Sequence, residues 1–202
     1  DVRIMRALDF DPKLERVRDP LILSVIAGPI GSLVAAVLAI SLFSSFGART
    51  IEALPYDFMQ WWLRDWLGVM VTAPLVLAWV HGRSHAWTWP RAAEAIALLL
   101  TLFAGSQLMF GLWAGSETRD VPIAFVFFPV VGWAGLRFGV RGATTIVAVI
   151  ASFAIAIAGR GIGPFSAFTI EFKQVLLFSF LALASLSGLL LAAIMAERED
   201  AL

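Results

Sequence analysis

From Trp61 to Trp79 the chain reads Trp-Trp-Leu-Arg-Asp-Trp-Leu-Gly and then Val-Met-Val-Thr-Ala-Pro-Leu-Val-Leu-Ala-Trp, and that run leaves few folds open. Hydrocarbon offers the backbone no hydrogen bonds, so such a stretch crosses a bilayer as a helix that satisfies its own peptide groups. Roughly 20 apolar residues span the core, and about six stretches qualify: Leu21 to Phe46, Phe58 to Val80, Ala92 to Trp113, Val121 to Leu136, Ala143 to Ala158 and Val175 to Ala196. The fourth and fifth are short and are split only by Arg137-Phe138-Gly139-Val140-Arg141-Gly142, which reads as a tight hairpin turn. The expected fold is an all-α, polytopic membrane bundle. Residues 1–202 form one unit: an interfacial segment at 1–20, the bundle at 21–196, and the start of an exit helix at 197–202.

Composition agrees, with 60% hydrophobic and 15% charged residues in 202 and a mean hydropathy of +0.86, well above soluble domains. The balanced charge and the lack of any basic run exclude a nucleic-acid partner. With no cysteine there are no disulfides, thiol chemistry or thiolate metal sites. His81 and His85 stand i,i+4 but flank Gly82 in a polar turn with no nearby carboxylate, so no metal is expected. Neither a catalytic constellation nor a nucleotide fingerprint is present, so the chain is expected to be neither an enzyme nor a cofactor carrier.

Basic residues set the orientation. With the N-terminus cytoplasmic, the inner side collects Arg3, Arg6, Lys13, Arg16, Arg18, Arg83, Arg91, Arg137, Arg141 and Arg198, and the outer side only Arg49, Arg64, Arg119, Arg160 and Lys173. Both termini are therefore expected inside, with Arg137, Phe138, Gly139 and Arg141 forming a cytoplasmic turn whose arginines meet lipid phosphates. The opening Asp1 to Pro20, charged but punctuated by Ile4, Leu8, Leu14 and Val17, suits a short interfacial helix. Past Gly188 no Gly or Pro stops the last helix, and Met195 and Leu202 lie a heptad apart. Val175 through Leu202 is thus expected to leave the bilayer as one helix, pair with its copy in a homodimer and continue into further chain.

Asp65 is the carboxylate placed deepest, about two turns inside its span and on one helix face with Trp61, Gly68 and Thr72. If buried, it needs a cation, and the outer-side candidates are Arg64, Arg119, Arg160 and Lys173. Two readings stand: a structural ion pair, or a ligand-sensing group in a pocket shared with Trp62. The loop Gly159-Arg160-Gly161-Ile162-Gly163-Pro164-Phe165 either walls that pocket or is a simple turn. Pro29, Pro74 and Pro129 fall inside three spans, where proline bends helices and can open a cavity, although membrane helices also tolerate it without one. Trp133 lies well inside a span and is the tryptophan best placed to line such a cavity. Trp61, Trp62, Trp66, Trp79, Trp87, Trp89 and Trp113 sit near span ends, as an aromatic belt does. Gly28, Gly31, Ala35 and Ala39, and Ala182, Ser185, Gly188 and Ala192, form small-residue stripes for close helix packing.

Taken together the residues resemble the MASE1 domain, a bacterial integral-membrane sensory module. The resemblance runs in order along nearly the whole chain: Leu8-Asp9-Phe10-Asp11-Pro12 with Arg18-Asp19; Trp61-Trp62 with Asp65, Gly68 and Pro74; Phe128-Pro129; Trp133-Ala134; Arg137-Phe138-Gly139 with Arg141-Gly142; Gly161 with Gly163-Pro164-Phe165; and Glu197-Arg198. The chain departs from the family at Arg64, usually small, at Val140, often proline, and near Phe178 or Ser179, where a glutamine is usual. The resemblance implies about eight spans, two of them upstream of Asp1, and fusion to a histidine-kinase, diguanylate-cyclase or phosphodiesterase module in the bacterial inner membrane. It implies a sensory and transducing role, with the output domain in cis or a membrane partner protein receiving the signal. The competing readings are a small transporter using Asp65 as a proton or substrate site, and a structural subunit of a membrane complex.

Overall fold

The computed structural model describes residues 5, 8–46, 54–82, 88–110, 127–158 and 170–200. Five helices and no strand occur among them: α1 (Arg18–Ser45), α2 (Leu54–His81), α3 (Trp89–Phe110), α4 (Phe127–Ala158) and α5 (Ile170–Asp200). Four of the five are long and apolar enough to cross a membrane, fewer than the six stretches expected. The exception is α3, which carries Arg91 and Glu94 near its start.

The two short stretches expected on either side of residues 137–142 are the two helical arms of α4, which meet at Gly139 (φ 64°, ψ −156°), inside the turn the sequence marks. A side chain there would force an L-residue into left-handed backbone, so glycine is the residue that can break the helix at this point. The arms fold back on each other: Phe127 and Ala154 line one small cavity, and a Cβ placed on Gly142 would lie 2.9 Å from the Ala134 carbonyl. Both arms pack on α5. Gly135 lets the backbone of α4 approach the Gly188 carbonyl within 2.9 Å of where a Cβ would sit, and Gly188 in turn admits Val131. The resulting core joins Val131, Ala134, Val147, Ile150 and Leu181, with Leu98 and Leu102 of α3 closing one side.

The expected stripe on α5 is buried at Ser185, Gly188 and Ala192 and half-buried at Ala182. On α1 the buried stripe is Ser24, Gly28, Ser32 and Ala36, while Ala35 is exposed and Gly31 half-buried. The change of register has a local cause. Residues Ile22–Ala27 are wound as a π-helix, which turns Leu23 and Ser24 inward ahead of Gly28. Of the three prolines, Pro74 lies buried inside α2, Pro29 stands one residue past the π-helical segment, after Gly28, and Pro129 occupies the first turn of α4, where it bends nothing.

Of the opening segment expected as an interfacial helix, Asp1 to Pro20, Met5 is helical, and residues 1–4, 6 and 7 lie outside the described residues. Residues 8–17 form a strap of turns with positive φ at Asp9 (50°) and Leu14 (58°). Leu14 is completely buried among Ala78, Val140, Leu189 and Ala192, where α2, α4 and α5 converge.

Candidate functional site

Two clusters stand out, and the first is an aromatic node between α1, α2 and α5. In the π-helical segment Gly28 N–H donates to the Leu23 carbonyl, five residues back. The next donor in that ladder would be residue 29, which is proline and has none, so the Ser24 carbonyl is left open. The Trp66 indole Nε1 fills the gap, donating to Ser24 O at 2.9 Å, and Trp62 Nε1 donates to Pro29 O at 3.0 Å. Gly28 makes the approach feasible, because a Cβ there would stand 3.0 Å from the Trp66 ring. The two indoles stack with centroids 5.5 Å apart, and Trp66 meets Phe178 of α5 at 5.0 Å. Further buried oxygens on these helices, among them Ser24 Oγ, Ser32 Oγ, Gln60 Oε1 and Gln174 Oε1, have no hydrogen-bond partner among the described residues.

The second cluster is a collar in which the strap, the end of α2, the start of α3, the Gly139 turn and the end of α5 meet. Arg141 donates from Nε to Ala78 O (3.1 Å) and from Nη2 to Gly82 O (2.7 Å) and Trp79 O (3.4 Å), capping the last turn of α2. Its guanidinium lies 5.6 Å from the Trp79 ring. Arg137 pairs bidentately with Glu94, Nη2 to Oε1 at 2.6 Å. Glu197, at the end of α5, accepts the Val17 N–H at 2.9 Å. Within the strap Arg18 donates to both the carbonyl and the carboxylate of Asp9. The Arg18 hydrogen bond and charge hold the exposed Asp9 carboxyl below the usual range. Asp19 is fully buried; its Oδ1 accepts the Asp11 N–H at 3.2 Å, and Oδ2 has no partner among the described residues.

The sequence-derived site is therefore divided. Trp62 belongs to the node, joined by Trp66, whose expected place was an aromatic belt. Trp61 is exposed and tilts against Phe43 at 5.7 Å. Arg64, Asp65 and Thr72 are exposed, and Thr72 Oγ1 donates to the Gly68 carbonyl of its own helix. Asp65 thus corrects the expectation of a buried carboxylate with a cation beside it, since no ion pair joins it among the described residues. The inward face of α2 carries Gln60, Met70, Pro74 and Ala78. Asp65 is five residues from both Gln60 and Met70, roughly 140° round the helix. Trp133 is 38% exposed, because Val131 and Ala134 take the inward positions, and it lines no cavity described here. Arg160, Gly163, Pro164 and Phe165 lie outside the described residues, as do Arg119 and Trp113. Arg137 and Arg141, expected to meet lipid phosphates, are also engaged by protein groups.

Sequence reasoning missed the Trp66–Ser24 bond, the Leu14 plug and the Glu197–Val17 contact. A signal for the first was present: Ser24, Gly28, Ser32 and Ala36 repeat every four residues, and Pro29 follows Ser24 by five. No match was found among curated proteins or among solved structures. The MASE1 family profile covers residues 4–199, spanning the strap, both clusters and the end of α5, and the chain belongs to MASE1, a family of membrane-associated sensory domains.

Proposed function

We propose that the chain is the input half of a bacterial inner-membrane receptor, with both termini cytoplasmic. A stimulus at the aromatic node biases the packing of α1, α2 and α5, and α5 carries the bias to a histidine kinase or a cyclic-di-GMP enzyme, acting as a homodimer. The observation that carries this reading is the course of α5. It runs unbroken from beneath Trp66 to Asp200, and its exposed end is tied to the strap through Glu197. A helix can transmit rotation or translation only if no flexible joint interrupts it, and a ligand can move it only by contacting its alternative packings unequally.

The test is helical phase. In the full-length natural protein, one residue inserted after Glu199 rotates everything downstream by about 100°, whereas seven nearly restore the phase. Output should be disrupted most by one residue, less by four, which rotate the helix by only about 40°, and be largely recovered with seven. Output indifferent to insertion phase would reduce α5 to a tether.

A further inference from the structure

On the outer faces of α2 and α4 lies a groove of about 520 Å³ lined by Leu75, Val76, Trp79, Thr145, Val149 and Phe153, among others. Both helices are long and apolar enough to cross a membrane, and Val76, Trp79 and Phe153 are exposed there. The hydroxyls in the lining are turned to the protein. Thr145 Oγ1 accepts the Trp79 indole N–H and donates to the Arg141 carbonyl, while Ser152 donates to Ala148 O. Along its length the groove therefore presents hydrocarbon to hydrocarbon.

Its collar end is different. Trp79 and Thr145 both touch Arg141, whose Nε and Nη2 are spent on three carbonyls while Nη1 makes no hydrogen bond among the described residues. Arg141 forms no ion pair there either. Among the described residues its charge is met by the partial negative end of α2 and the face of Trp79, neither of which is an anion. An apolar slot whose end residues, Trp79 and Thr145, both contact a cation lying just beyond the lining complements a molecule with a long alkyl chain and an anionic head. We propose that the groove holds one acyl chain of an anionic phospholipid, with its phosphate oxygen accepting from Arg141 Nη1 beside Trp79. The bound lipid would then bridge α2 and the second arm of α4, two elements that also hold Leu14.

The purified chain should be exchanged into nanodiscs containing phosphatidylcholine with or without phosphatidylglycerol, and retained lipid counted by native mass spectrometry during stepwise delipidation. The wild type should keep one phosphatidylglycerol in preference to phosphatidylcholine. Ala148→Trp, which fills the groove without touching Arg141, should lose that lipid while keeping its thermal midpoint in detergent. Arg141→Gln should weaken phosphatidylglycerol retention about fivefold, as expected for one basic residue at an anionic surface, and leave phosphatidylcholine unaffected. Val34→Trp, on the exposed face of α1, should change neither. Equal retention of the two lipids by the wild type, or undiminished retention by Ala148→Trp, overturns the proposal. Conversion of a dimer to a monomer by Ala148→Trp with lipid retention intact would show that a second copy fills the groove instead.

Discussion

The aromatic node and the collar both tie helices of the bundle together, with opposite amounts of redundancy. At the collar Arg141 makes three bonds to one helix end, Arg137 is held at two points by Glu94, and Leu14 is wedged among three helices. At the node a single indole N–H covers the Ser24 carbonyl, and at least four buried side-chain oxygens on the same helices have no hydrogen-bond partner among the described residues. In a low-dielectric interior an unpaired polar group is expensive, and a partly satisfied network can therefore be rearranged by any molecule or motion that completes it. The difference suggests a division of labour in which the node yields and the collar holds.

The largest expected effect lies in the collar. Leu14→Ala should destabilise the domain by about 2–5 kcal/mol, the range for truncating a buried leucine, read as thermal or denaturant unfolding in detergent. An unchanged midpoint would mean that the strap merely rests on the bundle, and the contrast with the node would collapse.

Next comes Trp66→Phe, which keeps the ring but strands the Ser24 carbonyl at about 1–3 kcal/mol. The node account makes a sharper demand of a double-mutant cycle. With Pro29→Ala in the background, residue 29 regains an N–H that can serve Ser24, so Trp66→Phe should do less damage. Equal losses in both backgrounds would show that the indole matters for packing alone.

The fold was legible where physics acts locally. The apolar runs marked the helices, Gly139 the break, and the uninterrupted stretch after Gly188 the continuity of α5. What could not be read was which face each helix turns inward. In water an amphipathic pattern separates core from solvent, but in α1 and α5 lipid-facing and protein-facing positions are equally apolar. Val34 and Ala36 differ only in what they meet. The same blindness put Asp65 in the interior on the strength of its charge, although its position on the helix turns it away from Gln60 and Met70. Leu14 was hidden for another reason, since a lone leucine among charges looks interfacial until left-handed turns at Asp9 and Leu14 fold it inward.

A smaller effect concerns Glu197. Glu197→Gln keeps an oxygen for the Val17 N–H and should be nearly silent, while Glu197→Ala should release that amide at a cost of about 1 kcal/mol or less. Hydrogen exchange at Val17 distinguishes them. If both variants exchange like the wild type, the strap is not fastened to α5 there.

The smallest effect is at the rim. The Asp9 carboxyl is depressed by Arg18, so its contribution is present above the ordinary aspartate range, near pH 4, and is lost as pH falls through its lower folded value. Asp9→Asn should therefore be slightly less stable than the wild type at neutral pH, and the two should converge on acidification. A gap that widens toward low pH would reverse the assignment.

The cap on α2 also bears on how the domain is made. Gly82 and Arg141 are 59 residues apart, so at roughly 5–20 residues per second the second helix emerges several seconds before the guanidinium that will close its end exists. During that interval Ala78 O keeps only the Gly82 N–H, and the carbonyls of Trp79 and Gly82 lack the guanidinium and are open to interfacial water or headgroups. The ribosome thus delivers an open-ended α2 first and locks it later, and the chain passes through a stage of synthesis in which its second helix can still slide in the bilayer.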